Sequence, residues 1–302
     1  CSKPAASDPT YTLDYEEPNI SRRSLLTSIG AVAVSTTVLS ACGSSSSGSD
    51  SSRPLVVMAD ATPHTDILKK VQELGLLGEV KIEIKGITGD IDVNQLTESG
   101  DIAANFFQHQ PYLDSWSKEK GVSDLVAVAK VHVEPLGLYS RKVKSLDAVP
   151  SGATIAIPSD PSNQARALFL LQQAKLLTLD VKATDKNLDY SQITQKNITA
   201  NPHGLKFLTI DRPQLAATLD DAKVNLSVIN GNYALEAGLS PKNDSLALES
   251  AIDNPYTNVL VVKGTLKDDP RVKKLAEALQ SKQIQDWITE NFKGSVLPAQ
   301  NS

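Results

Sequence analysis

The 302-residue chain is 40% hydrophobic and 22% charged, which suits a folded body of one or two domains with a sizeable core. Its formal charge of -5 argues against nucleic acid as a partner, because such binders need a concentrated basic face. Only two cysteines occur, Cys1 and Cys42, both ahead of the globular part, so a disulfide framework and a thiolate metal site are excluded there. His64, His109, His132 and His203 lack the spacing of a zinc site.

Residues 1–41 read as an export signal. A polar stretch leads to Ser21-Arg22-Arg23-Ser24-Leu25-Leu26, then an apolar run from Leu25 to Leu39. That run is roughly 15 residues, short of the about 20 that cross a bilayer, so it reads as the apolar region of a signal peptide. The arginine pair suits twin-arginine export or, as a plain positive segment, general secretion. Leu39-Ser40-Ala41-Cys42 has the order of a lipobox, with Cys42 as the acylated residue. The Gly/Ser tract of residues 43–52 cannot bury a core and reads as a tether, so that residues 42–53 link anchor to body.

From Pro54 the pattern alternates strand and helix. Strands are expected at 55–59, 80–84, 103–107, 125–129, 133–138, 154–158, 224–229 and 259–262, from buried runs or strict alternation. Helices are expected at 67–74, 163–176, 270–280 and 283–292, the second one capped by the polar cluster before it. This order predicts an α/β body with mostly parallel sheets. No Walker loop, G-x-G-x-x-G, G-x-S-x-G or H-E-x-x-H motif is present, which lowers the case for an enzyme.

The segment Asn105-Phe106-Phe107-Gln108-His109-Gln110-Pro111-Tyr112-Leu113 resembles the NlpA lipoprotein family. So do Ala61–His64, Lys130–Pro135, Ile157–Arg166, Val228–Ala234 and Asn254–Asn258, all in order along the chain. The resemblance implies the type 2 periplasmic-binding-protein fold: one α/β lobe at 54–140 plus 255–302, a second at 141–254, and a ligand cleft between them. It further implies a methionine-binding lipoprotein that serves the permease and ATPase of an ABC importer at the cell membrane, with no catalytic residues, no cofactor and no metal. Phe107, His109 and Tyr112 match residues lining the slot for the thioether, which gains roughly 0.3–1.5 kcal/mol per aromatic contact. Arg166 matches the arginine that grips the ligand carboxylate, where a guanidinium fork can bind bidentately. Asn163 lies one helical turn earlier on the same face. Asn230 and Asn258 match asparagines that bond the amino and carboxylate ends.

His132 and Glu134 share one face of a strand and read as a hydrogen-bonded pair, with His64 adjacent to the cleft. One departure stands out. Where the family usually carries a ligand-reaching tyrosine, this chain has Asp90 within Gly89-Asp90-Ile91-Asp92-Val93-Asn94. A carboxylate there keeps open a second ligand class, a methionine-containing dipeptide or another amino acid. A surface structural or adhesion lipoprotein remains the alternative outside binding proteins.

Overall fold

A computed structural model describes residues 53–300 apart from Thr184, Lys186 and Asp253. The signal segment, Cys42 and the tether up to residue 52 lie outside the described residues. In chain order come β1 (Leu55–Ala59), α1 (Asp66–Glu73), β2 (Ile82–Gly86), α2 (Val93–Ser99), β3 (Ala104–His109), α3 (Gln110–Lys120) and β4 (Leu125–Val133). The chain continues through β5 (Gly137–Tyr139), β6 (Thr154–Pro158), α4 (Pro161–Gln173), β7 (Thr178–Leu179), β8 (Ile198–Ala200), β9 (Lys206–Ile210), β10 (Leu226–Ile229), α5 (Gly231–Glu236), α6 (Pro241–Asp244) and β11 (Ala247–Leu248). It returns with β12 (Thr257–Lys263), α7 (Pro270–Leu279), α8 (Lys282–Phe292) and β13 (Leu297–Pro298).

Two larger sheets result, ordered β13-β4-β12-β3-β1-β2 and β11-β5-β10-β6-β9. Each has its own core. Val57, Phe106, Val131, Leu260 and Ile288 are buried around the first sheet, and Leu138, Ile157, Leu168 and Val228 around the second. The sheets are mixed rather than mostly parallel. Strands β2-β1-β3 and β10-β6-β9 run parallel, while β12, β13, β5 and β11 pair antiparallel. Of these, β5, β11 and β12 flank the two passages by which the chain changes sheet, whereas β13 follows α8 and stays in the first sheet.

The strand expected at 133–138 divides in two. β4 ends at Val133, and β5 belongs to the other sheet. Pro135 lies between them and cannot donate to a ladder, so the chain leaves one sheet over Glu134–Leu136 and enters the next. A second passage, between β11 and β12, carries it back. Residues 137–139, within the segment 54–140 assigned to lobe one, therefore pair in the second sheet.

Local chemistry sets the ends of the helices that face the site. His109, the last residue of β3, caps α3 by accepting from Tyr112 N at 3.1 Å through Nδ1. Asp160 caps α4 through Asn163 N at 3.1 Å, and Pro161 opens the helix with its fixed φ. Among the described residues no helix is long and apolar enough to cross a membrane.

Candidate functional site

The two caps face each other across the line between the sheets. Because His109 Nδ1 accepts from Tyr112, its neutral ring carries the proton on Nε2, which donates to Asn163 Oδ1 at 3.1 Å. Asn230 Nδ2 donates to the same oxygen at 2.8 Å, and Asn230 Oδ1 is buried with no hydrogen-bond partner among the described residues. Phe107 and Tyr112 meet edge to face at 5.9 Å, and the His109 ring lies 5.1 Å from Tyr256. Phe107, His109, Tyr112, Arg166, Asn230 and Asn258 all line one narrow pocket, and Asn163 stands behind it holding His109 and Asn230. The pocket encloses about 20 Å³, room for one water and far short of an amino acid. Phe107, Tyr112 and Arg212 also wall a wider cleft of about 890 Å³, lined by Asp60, Asp90, Asp92 and Asp160 among others.

Arg166 is not a free fork. Its Nε and Nη2 bind Glu249 at 2.9 and 2.6 Å, and Nη2 also donates to the Glu134 carbonyl at 2.8 Å. The Tyr256 ring lies 4.4 Å from the guanidinium carbon. Among the described residues Nη1 has no hydrogen-bond partner, so the Nε/Nη2 edge is filled and Nη1 is the side of the fork open to a ligand. Glu249 also accepts from Leu136 N at 3.2 Å, joining the two passages between the sheets. It lies in coil after β11 and belongs to no pattern the sequence reading used.

A second cluster lies beneath. Glu134 Oε1 accepts from His132 Nε2 at 2.6 Å, while His64 Nε2 lies 3.2 Å from the same oxygen and hydrogen-bonds Asn258 Oδ1 at 3.1 Å. Glu134 Oε2 accepts from Asn232 N at 3.0 Å, so a single carboxylate ties both sheets. Gly231 permits this: a Cβ there would stand 2.9 Å from Glu134 Cβ. The three side chains offer atoms within 4.8 Å of one another, the one grouping of described residues compact enough to hold a metal. Both Nδ1 atoms, however, are buried without partners, whereas ligating imidazoles are oriented through that second nitrogen. The arrangement is that of charge-assisted hydrogen bonding. Burial pushes the Glu134 carboxyl up, but His64 and His132 outweigh it and hold it at about 2. Burial pushes His64 down to about 4 and His109 to about 3, so both imidazoles are neutral at pH 7.

The NlpA lipoprotein family model matches residues 55–300. This chain belongs to the NlpA lipoprotein family. It is 37% identical over 262 residues to the methionine-binding lipoprotein MetQ of Bacillus subtilis, covering 86% of this chain and 93% of that protein. Among solved structures it resembles a nutrient binding protein of Burkholderia cenocepacia bound to methionine, with 38% identity, a TM-score of 0.74, and coverage of 82% of this chain and 100% of that one. It also resembles a periplasmic substrate-binding protein of an ABC transporter from Coxiella burnetii, at 36% identity and a TM-score of 0.73, over 81% of this chain and 100% of that one. The fold is the type 2 periplasmic-binding-protein fold of these NlpA relatives, two α/β lobes with a cleft between them.

Three residues that line these two pockets escaped the sequence reading besides Glu249. Asp60, 9% exposed at the end of β1, accepts from Asn232 Nδ2 at 3.2 Å, and burial pushes its carboxyl up to about 7. Asn232 itself follows Gly231 at the start of α5, where Asn reads as an ordinary turn residue. Arg212 follows β9, an edge strand too exposed to show a buried pattern. Asp90 is exposed and lines the wide cleft.

Proposed function

We propose that this chain is the substrate-binding lipoprotein of an ABC importer, taking methionine between its lobes and presenting it to a membrane permease powered by a separate ATPase. The composition of the narrow pocket carries this reading. Glu134 and the unpartnered Asn230 Oδ1 are acceptors, Arg166 and Arg212 are cations, and the Phe107–Tyr112 pair is an aromatic wall. Acceptors opposite cations suit the ammonium and carboxylate of a free amino acid, and aromatic faces suit a thioether. The relatives agree, one named as methionine-binding, one solved with methionine and one serving an ABC transporter. In this reading the two lobes, joined where the chain changes sheet at Glu134–Leu136 and again between β11 and β12, part about these two connections. A pocket with room for one water must open to admit a ligand.

Titration calorimetry with L-methionine, D-methionine and glycyl-methionine tests the reading, and no heat from any of them would sink it. Asp90 decides between the two ligand classes. An exposed carboxylate stays hydrated and needs no ligand amine, which favours methionine itself over the dipeptide. Asp90→Tyr is then expected to tighten methionine by roughly two- to tenfold, through one added aromatic contact. A dipeptide preference in the wild type that Asp90→Tyr removes would establish the other class.

For the anchor, we take Cys42 as the acylated residue and the following Gly/Ser tract as its tether, which holds the body at the outer face of the membrane. Cys42→Ser is expected to shift the protein from the membrane fraction to the soluble fraction with an unchanged melting temperature. Retention on the membrane would mean that the apolar run of residues 25–39 is itself the anchor.

A further inference from the structure

Arg212 is a cation whose hydrogen-bonding capacity no described residue takes up. It follows β9 in the second lobe, where Pro213 helps fix a short 3-10 turn, Arg212–Gln214. Its guanidinium carbon lies 4.7 Å over the ring of Tyr112, which belongs to α3 of the first lobe, so the side chain spans the cleft. It walls both the narrow pocket and the wide cleft, together with Phe107 and Tyr112.

Its shell is incomplete. The nearest carboxylate, Asp160, approaches Nε at 3.4 Å through Oδ2, too far to be a strong charge-assisted bond. Asp160 Oδ1 is already engaged by Ser162 and by Asn163, whose backbone and side-chain nitrogens both donate to it, while Oδ2 has no hydrogen-bond partner. Among the described residues nothing hydrogen-bonds the fork of Arg212, although its side chain is only 19% exposed. Arg166 presents the opposite case, with its Nε/Nη2 edge filled by Glu249. Burial works against the charge of Arg212, but Asp160 and the surrounding groups hold it firmly protonated.

We propose that Arg212 binds the ligand's free carboxylate, sharing it with Arg166 Nη1, and thereby makes the site selective for small ligands with an unblocked carboxylate. The inference rests on the amino-acid reading of the same pocket. A planar fork that no described residue hydrogen-bonds is complementary to a carboxylate and gains nothing from an amide. The acceptors of the same pocket, Glu134 and Asn230 Oδ1, then meet the ammonium end, so the ligand's direction in the site is set by charge. Engaging Arg212 from the first lobe's side of the cleft also couples the carboxylate to closure, because the same guanidinium already rests on Tyr112.

Calorimetry with L-methionine and L-methioninamide, on the full-length chain and on Arg212→Met and Arg212→Lys, tests this. The wild type is expected to prefer methionine over the amide. Arg212→Met, which keeps an apolar stem against Tyr112, is expected to weaken methionine by about tenfold or more while leaving methioninamide within about twofold, so that the preference collapses. Arg212→Lys is expected to recover part of it, since the charge returns without the fork. If Arg212→Met weakens both ligands by the same factor, Arg212 merely supports Tyr112 and the carboxylate role is wrong; unchanged binding of both overturns it too. A wild type that binds neither ligand removes the amino-acid reading and this role together. A wild type that binds methionine, with variants that keep its preference, removes this role alone.

Discussion

Arg166→Ala is expected to lower the free energy of unfolding by about 3–5 kcal/mol and to remove measurable amino-acid binding, because it breaks a buried ion pair from one side. Arg166 is 2% exposed, and the side chain of Glu249, its bidentate partner, is 12% exposed. Truncation leaves the Glu249 carboxylate with a single backbone donor, Leu136 N, and strips the Glu134 carbonyl of its arginine. Urea denaturation measures the first effect and calorimetry with methionine the second. The double variant Arg166→Met with Glu249→Leu separates them. Exchanging both charges for apolar side chains is close to neutral for stability in comparable buried pairs, so the fold is expected to recover while binding stays lost. Wild-type stability in Arg166→Ala would mean that water reaches the pair and that the passages between the sheets do not depend on it.

The difference between a fork offered to a ligand and a fork held by Glu249 shows where sequence reading stops. The seven candidate residues were legible because they sit in contiguous motifs, and the structure gathers them around a single pocket from β3, α3, α4, the turn before α5 and the start of β12. The strands at 55–59 and 154–158 were legible because buried apolar runs have few alternatives. α3 was not, since it starts directly on the last residue of β3 and its buried residues are only Pro111, Leu113 and Trp116. Nor was the division of the strand around Pro135, where the apolar pattern continues although the ladder cannot. Glu249, Asp60 and Arg212 share a different reason. Each is a charged residue in or beside a loop, where sequence assigns solvent by default. What draws them inward is a partner far along the chain: Arg166 for Glu249, Asn232 for Asp60 and Tyr112 for Arg212.

Those buried charges make the fold sensitive to acid in a window set by histidine. His64 and His109 are held at about 4 and about 3, well below 6.5, so the unfolded chain takes up their protons first as the pH falls. Stability is therefore lost from pH 6.5 downward, by on the order of 3 kcal/mol for each imidazole by pH 4. Asp60 opposes this. Its carboxyl is pushed up to about 7 from 3.8, so its contribution is fully present below 3.8 and is lost as the pH rises through 7. Over the same interval it returns roughly 3 kcal/mol. Glu134, held at about 2 from 4.5, starts to cost stability only below pH 4.5. The net expectation is a loss of about 3 kcal/mol between pH 6.5 and pH 4, read by urea denaturation at fixed ionic strength. Asp60→Asn removes the opposing group while its amide still reaches Asn232. The variant is expected to be more stable than the wild type at pH 7.5 and to lose about 6 kcal/mol over the same acid interval. Parallel pH profiles for the two proteins would show that Asp60 stays ionised in the closed cleft. A flat wild-type profile from 6.5 to 4 would show that water reaches His64 and His109, and that the Glu134 cluster and the His109–Asn163 contact are less enclosed than their geometry indicates.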